Sequence, residues 1–268
     1  MRKDLYVFDI DDTLFDWLTM WVSSFSALLE RLEQCTQLPP ANIKHRFRCF
    51  HQNVGTSEFP FRKDDLLVVV PEAGEVFAEQ IAHQLDTQRR EWHLLFPGIV
   101  DLLKSIKARG KSIALHTDAP PVLAEARTKA LGLDVLVDAI YSTADHRLSP
   151  RLTASPTGTR HRVLDRKKPT RDALDTIVAD LGVNAEQTIY IGDSLYRDIA
   201  MAQTCGVLDI YAAYGCNRDG AAYNLLRDVS HWTEADVREE KRLHNEHIVA
   251  PTLTALTISD LSRLVEQS

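Results

Sequence analysis

The chain is poor in sulfur and has no long apolar run. Its four cysteines, Cys35, Cys49, Cys205 and Cys216, are scattered through 268 residues without a Cys-x-x-Cys pair. That excludes a disulfide framework and a thiolate metal clip, so they read as reduced thiols. No apolar stretch approaches the roughly 18 residues of a membrane-spanning helix, and Asp4, Asp9, Asp11 and Asp12 interrupt any secretory apolar region at the start. A soluble, cytoplasmic protein is expected. Positive charge is not in excess either. The formal net charge is −7, which offers no general attraction to nucleic acid or to a membrane. No internal repeat is visible. His231, Trp232, His244 and His247 are spaced too irregularly for a metal site and read as packing or surface residues.

What is present is acid where a fold resists it. Leu5-Tyr6-Val7-Phe8 has the length and character of a buried strand, and Asp9-Ile10-Asp11-Asp12-Thr13 follows at once. Two unit charges about 4 Å apart repel by roughly 4 kcal/mol at an effective dielectric near 20, so carboxylates gathered at a strand end want a cation. Alone, this is also what a strand followed by an acidic turn looks like. A second instance adds weight: Thr188-Ile189-Tyr190-Ile191 runs directly into Gly192-Asp193 and on to Asp198. In open parallel sheets, ligands bind outside the carboxyl ends of the strands, so both acidic sets can face one crevice. Between them, Ser112 to His116 reads as a third strand ending in Thr117-Asp118, and Lys167-Lys168-Pro169 opens the helical segment 170–181. Thr-Asp before two prolines is also an ordinary helix start, and paired lysines are commonly a solvated loop.

In this order, Asp9-x-Asp11-x-Thr13, Thr117 after a strand, Lys168, and Gly192-Asp193 with Asp198 resemble the haloacid dehalogenase-like superfamily of phosphohydrolases. The resemblance covers residues 1–16 and 96–212. It implies that Asp9 is a nucleophile that forms an aspartyl-phosphate. It implies that Asp11 is the acid that protonates the leaving oxygen and then the base that activates water, with a carboxyl pKa above that of Asp9. Thr117, Asp118 and Lys168 would bind the phosphoryl group. Asp9, Asp11 through its main-chain carbonyl, Asp193 and Asp198 would hold Mg²⁺, which takes oxygen ligands and keeps waters. The implied partner is a small phosphorylated metabolite. Halide displacement needs no proton, so Asp11 argues against the dehalogenase branch. A phosphomutase, which uses the same aspartyl chemistry, stays open, as does a non-catalytic regulatory member.

The organisation fits an α/β fold, a doubly wound parallel sheet with a smaller helical cap. Composition is that of an ordinary globular chain, 44% hydrophobic and 26% charged. Trp17, Trp21, Phe25, Leu28, Leu29 and Leu32 recur at helical spacing, and a second helix is predicted from Pro71 through Val76, Phe77, Ile81 and Leu85 to Trp92. Residues 17–95 are therefore assigned to the cap, with 1–16 and 96–268 as the core and its C-terminal extension. Segment 45–61 carries Arg46, Arg48 and His51 among Phe47, Phe50, Phe59 and Phe61, a pattern of cap core with a solvated face or of a specificity region. A basic stretch, 145–167, precedes Lys168 and reads as a loop or an electrostatic lid. Toward the end, a strand within 248–256 and a final helix capped by Ser259 are predicted, and the extension covers a sheet edge or makes a dimer contact. The chain is expected as a monomer or homodimer.

Overall fold

Leu5, Tyr6, Val7 and Phe8 form the first strand, β1 (Leu5–Phe8), fully buried. The structure, a computed structural model, describes residues 3–57, 62–92, 94–144, 161–216, 220–235, 238, 242 and 249–268. Six further strands follow among these residues: β2 (Ser112–His116), β3 (Ala139–Thr143), β4 (His161–Leu164), β5 (Thr188–Gly192), β6 (Leu208–Ala212) and β7 (Leu253–Ala255). They pair in the order β4-β3-β2-β1-β5-β6-β7, and every pairing is parallel. The chain steps outward from β1 through β2, β3 and β4, then returns to place β5 on the other side. Reversal at the centre leaves a crevice at the carboxyl ends of β1, β2 and β5.

Side chains alternate across the sheet, and both faces are covered. Leu5 and Val7 pack with Ala114, Tyr141 and Tyr190 against Leu174, Ile177 and Met201, supplied by α7 (Arg171–Asp180) and α8 (Ala200–Thr204). Tyr6 and Phe8 point the opposite way, toward Ile99, Leu103, Ile106, Leu261 and Val265, which belong to α5 (Ile99–Ala108) and α10 (Ile258–Gln267). Burial on both faces explains why the central strands read as unbroken apolar runs. It also makes their ends the first place where a charged side chain meets room.

Helices α1 (Trp17–Thr36), α2 (Pro40–Val54), α3 (Lys63–Val69) and α4 (Glu75–Trp92) lie between β1 and β2 in the chain. They form a separate apolar cluster in which Trp21 stacks on Phe25 at 5.0 Å and Phe47 meets Phe25 edge-on at 5.1 Å. The helix expected to run unbroken from Pro71 is in fact two pieces. Pro71–Ala73 is a single 3-10 turn, and Gly74, with φ +74°, separates it from α4. Val76 then faces solvent while Ala78, Ile81 and Leu85 face the cluster. Helix α9 (Gly220–Val229) comes from the extension, yet Leu226 and Val229 pack into this same helical cluster. His51 Nδ1 sits 2.6 Å from the Val229 carbonyl, and Ser57 Oγ sits 2.9 Å from His231 Nδ1.

Three further elements differ from the sequence reading. Residues 161–164 extend the sheet as β4, where a loop is expected, because their alternating side chains complete the edge beside β3; 145–160 lie outside the described residues. The terminal strand is only Leu253–Ala255, since three residues suffice to pair with β6. Thr257, not Ser259, caps the last helix, its hydroxyl accepting the Asp260 amide at 3.1 Å. Among the described residues, no helix is long and apolar enough to cross a membrane. Truncating Phe25 to alanine empties the centre of the helical cluster, and urea denaturation should show a loss of about 3–5 kcal/mol; a loss below about 1 kcal/mol would place Phe25 outside the core.

Candidate active site

Three adjacent strands end level with one another. Phe8 is in register with Leu115 of β2 and Ile191 of β5, so Asp9, Thr117 and Asp193 leave the sheet along one edge. Asp9 continues the ladder by donating its amide to the Ile191 carbonyl at 2.9 Å, which holds its main chain while its side chain, 7% exposed, meets the crevice. Lys168 reaches in from the start of α7. Its Nζ lies 2.6 Å from Asp9 Oδ1 and 2.8 Å from Asp198 Oδ1.

The path from Asp193 to Asp198 is a wide π-type turn, Leu195–Ile199. Ser194 caps it by accepting the Arg197 amide at 3.1 Å, and Asp198 Oδ2 accepts the Ser194 amide at 3.1 Å. The Asp198 carboxylate is thereby folded back over Gly192, where any Cβ would collide with it. One carboxylate oxygen from each of Asp9, Asp193 and Asp198 lies within 4.8 Å of the others. Oxygens around an octahedral ion at about 2.1 Å stand roughly 3–4 Å apart, so modest closure of the three would suit a small hard cation.

Charge in the cluster is unbalanced. Burial, with the neighbouring Asp198 and Asp11 charges, raises Asp9 from 3.8 to about 7 despite the pull of Lys168. Burial and the Asp9 and Asp198 charges raise Asp193 well above the usual carboxylate range. Burial alone would lower Lys168, but Asp198 and Asp9 together overcome it and keep the ammonium firmly charged. Three carboxylates thus face one ammonium, and a bound cation would reverse the upward shifts. The fit of the site to a divalent cation rests on this deficit and on an all-oxygen donor set.

The Asp11 side chain turns toward Arg127. Both of its carboxylate oxygens are 2.6 Å from Arg127 Nη1 on α6 (Pro121–Ala130), and Arg127 also lies 5.4 Å above the Phe15 ring. Asp11 is partly exposed and ion-paired with Arg127, whereas Asp9 is buried. Thr117 is buried, its Oγ1 accepting the Ala119 amide at 3.0 Å and keeping its own proton to donate. Asp118 accepts the Lys168 amide at 2.9 Å, so its carboxylate braces the lysine from behind.

Several residues of this site carry no signal in a linear reading. Gly215 presses on the Asp12 carbonyl where a Cβ would clash, Tyr214 donates to the Thr13 carbonyl at 2.8 Å, and the Cys216 thiol donates to the Asp193 carbonyl at 3.0 Å. The segment after β6 therefore clamps both acidic loops from above. Arg127 is one arginine among many on a helix, and nothing in its neighbours marks it. Tyr190 and His116 show more: polar groups in otherwise apolar, doubly covered strands need partners.

The profile of haloacid dehalogenase-like hydrolases matches residues 3–206. A phosphoglycolate phosphatase of Rhodospirillum rubrum is 29% identical over 129 residues, 48% of this chain and 45% of the relative. A protein of Dickeya dadantii named probable phosphatase IndB is 26% identical over 222 residues, 80% of this chain and 82% of the relative. The chain spans less than half of the first relative and about four fifths of the second. Among solved structures, the magnesium-bound HAD-hydrolase YfnB of Bacillus subtilis superposes with a TM-score of 0.56 at 16% identity, covering 99% of this chain and 100% of that one. That likeness shows the fold.

A folded-state pKa near 7 for Asp9, against 3.8 when exposed, means the folded protein holds an extra proton between those values. Without divalent cation, stability is then fullest at acid pH and is lost as pH rises through about 7, by on the order of a few kcal/mol. Thermal denaturation in EDTA should give a lower midpoint at pH 8 than at pH 5.5, with Asp9→Asn flattening the slope. A midpoint that rises over that interval would contradict the repulsive cluster.

Proposed function

The chain belongs to the haloacid dehalogenase-like hydrolases, and on that premise we propose that it is a Mg²⁺-dependent phosphohydrolase that cleaves a small phosphomonoester through an aspartyl-phosphate. The observation that carries this reading is the convergence of Asp9, Lys168, Asp193 and Asp198 at one sheet edge. The phosphatase names of its relatives support it.

Each residue has a task that its surroundings permit. Asp9 Oδ1 is oriented by Lys168, leaving the carboxylate aimed into the crevice to attack phosphorus. Lys168 and the Thr117 hydroxyl face charge that spreads over the phosphoryl oxygens, where fixed donors contribute most. Asp9, Asp193 and Asp198, with the Asp11 main-chain carbonyl, would hold the cation. When bound, Mg²⁺ offsets the carboxylate repulsion and polarises a phosphoryl oxygen. Asp11 is the acid and base, and to act it must turn from Arg127, because both of its oxygens are engaged there. Asp118 holds Lys168 in place by accepting the lysine's main-chain amide on Oδ1, and it lies beside Thr117 where the phosphoryl group would bind.

Helices α1–α4, residues 17–95 with α9 packed beside them, serve as a cap that closes on the substrate and excludes water. The core comprises 1–16 and 96–268. The substrate is a small phosphorylated metabolite, with short anionic esters such as phosphoglycolate first in line, and the enzyme works in the cytoplasm as a monomer or homodimer.

Release of inorganic phosphate from a panel of phosphomonoesters should require Mg²⁺ and stop in EDTA. Asp9→Asn should abolish it with the fold intact, and Lys168→Met should lower kcat by about 10²–10³. Full activity in Asp9→Asn would remove Asp9 as nucleophile, and isomerised product without phosphate release would make the protein a mutase.

A further inference from the structure

Behind the carboxylates lies a second layer of buried polar side chains with no part in the chemistry above. Tyr190 of β5 and His116 of β2 flank β1 on the α7 side of the sheet, both fully buried, with rings edge-to-face at 6.0 Å. The Tyr190 hydroxyl donates to Asp198 Oδ1 at 3.1 Å and lies 3.2 Å from His116 Nδ1. The phenol proton is donated to Asp198 Oδ1, so toward His116 the phenol oxygen can only accept. That assigns the Nδ1–H tautomer to His116. Burial, aided by the nearby Lys168 charge, keeps the imidazole neutral, and burial keeps the phenol protonated.

Two of these bonds therefore run in one direction, toward Asp198 Oδ1, and the lysine donates to that oxygen from the other side. His116 Nδ1–H points to Tyr190, Tyr190 to Asp198 Oδ1, and Lys168 Nζ joins that same oxygen to Asp9 Oδ1. Aligned bonds of this kind polarise one another. Stability alone does not account for the pair: among the described residues no hydrogen-bond partner reaches the buried His116 Nε2, a cost that an apolar residue at this position would avoid. Without the phenol, the Lys168 ammonium would be left as the one donor to Asp198 Oδ1 among the described residues and would be drawn away from Asp9.

We propose that Tyr190 and His116 are positioning residues: by holding Asp198 Oδ1 from behind, they divide Lys168 evenly between Asp198 and Asp9 and preset the carboxylate cluster for its cation. The role in turnover rests on the phosphohydrolase reading, whereas the role in cation affinity can be measured without substrate.

Tyr190→Phe deletes only the hydroxyl. It should weaken Mg²⁺ binding, measured by calorimetry on the free protein, and lower kcat, each by about 10–100-fold, with KM for the ester changed less than about 3-fold. His116→Leu should fall to the same level, while His116→Asn, whose Nδ2–H can replace the imidazole donor, should keep most of the wild-type values. The double variant Tyr190→Phe/His116→Leu should be no worse than Tyr190→Phe alone. Nitrogen-15 spectra of histidine-labelled protein should show His116 protonated on Nδ1. A wild-type Mg²⁺ affinity in both Tyr190→Phe and His116→Leu, or an Nε2–H tautomer, overturns the proposal. Should the variants lose Mg²⁺ affinity while the wild type releases no phosphate from any ester, the positioning role stands and the phosphohydrolase reading falls.

Discussion

Three carboxylates around one ammonium, in a crevice that water barely reaches, is the interaction on which the rest of this structure depends. Asp9, Asp193 and Asp198 repel one another, and Lys168 can neutralise only part of that charge. Left to relax, such side chains would turn outward to solvent. They are kept inward by main-chain constraints: the Asp9 amide on β5, the Ser194 amide on Asp198, and Asp198 seated over Gly192. The free energy that holds the acids together therefore comes from the sheet and its turns, and the site stores it as a demand for a cation.

The topology makes that demand possible. Placing β1 between β2 and β5 brings residues nearly two hundred positions apart to one edge. Double coverage of the sheet buries both faces of the strands, so the strand ends are where polar side chains can emerge. The π-type turn adds a local device, giving Asp198 the reach to return beside Asp193. The segment after β6 closes the site from above through Tyr214, Gly215 and Cys216, tying the two acidic loops to the element that leads into α9.

Helix α9 gives the molecule an unusual cross-connection. It leaves the sheet through residues that touch Asp12, Thr13 and Asp193, and it packs among α1 and α2 with Leu226 and Val229. The helical layer and the acidic loops are thus both in contact with the chain that follows β6, besides the segments that flank β1 and α5. The Arg127–Asp11 pair lies beside the segment between β1 and α1, with Phe15 beneath the guanidinium.

From the linear chain alone, the central strands, the acids at their ends, and the aromatic stripe of α1 were legible, because burial on two faces yields unbroken apolar runs and burial on one yields helical spacing. So was the set of side chains brought together, since the ordered motifs that carry Asp9, Lys168, Asp193 and Asp198 resemble those of one family. The break at Gly74, the strand at 161–164 and the membership of α9 were not, because each depends on which distant surface was left uncovered. Likewise, the partner of Asp11, the brace that Asp118 gives Lys168, and the polar layer of Tyr190 and His116 belong to the tertiary structure. Sequence spacing reports periodicity along one element; it says nothing about which side chain lies opposite across two strands, and hydrogen-bond direction and pKa are set there.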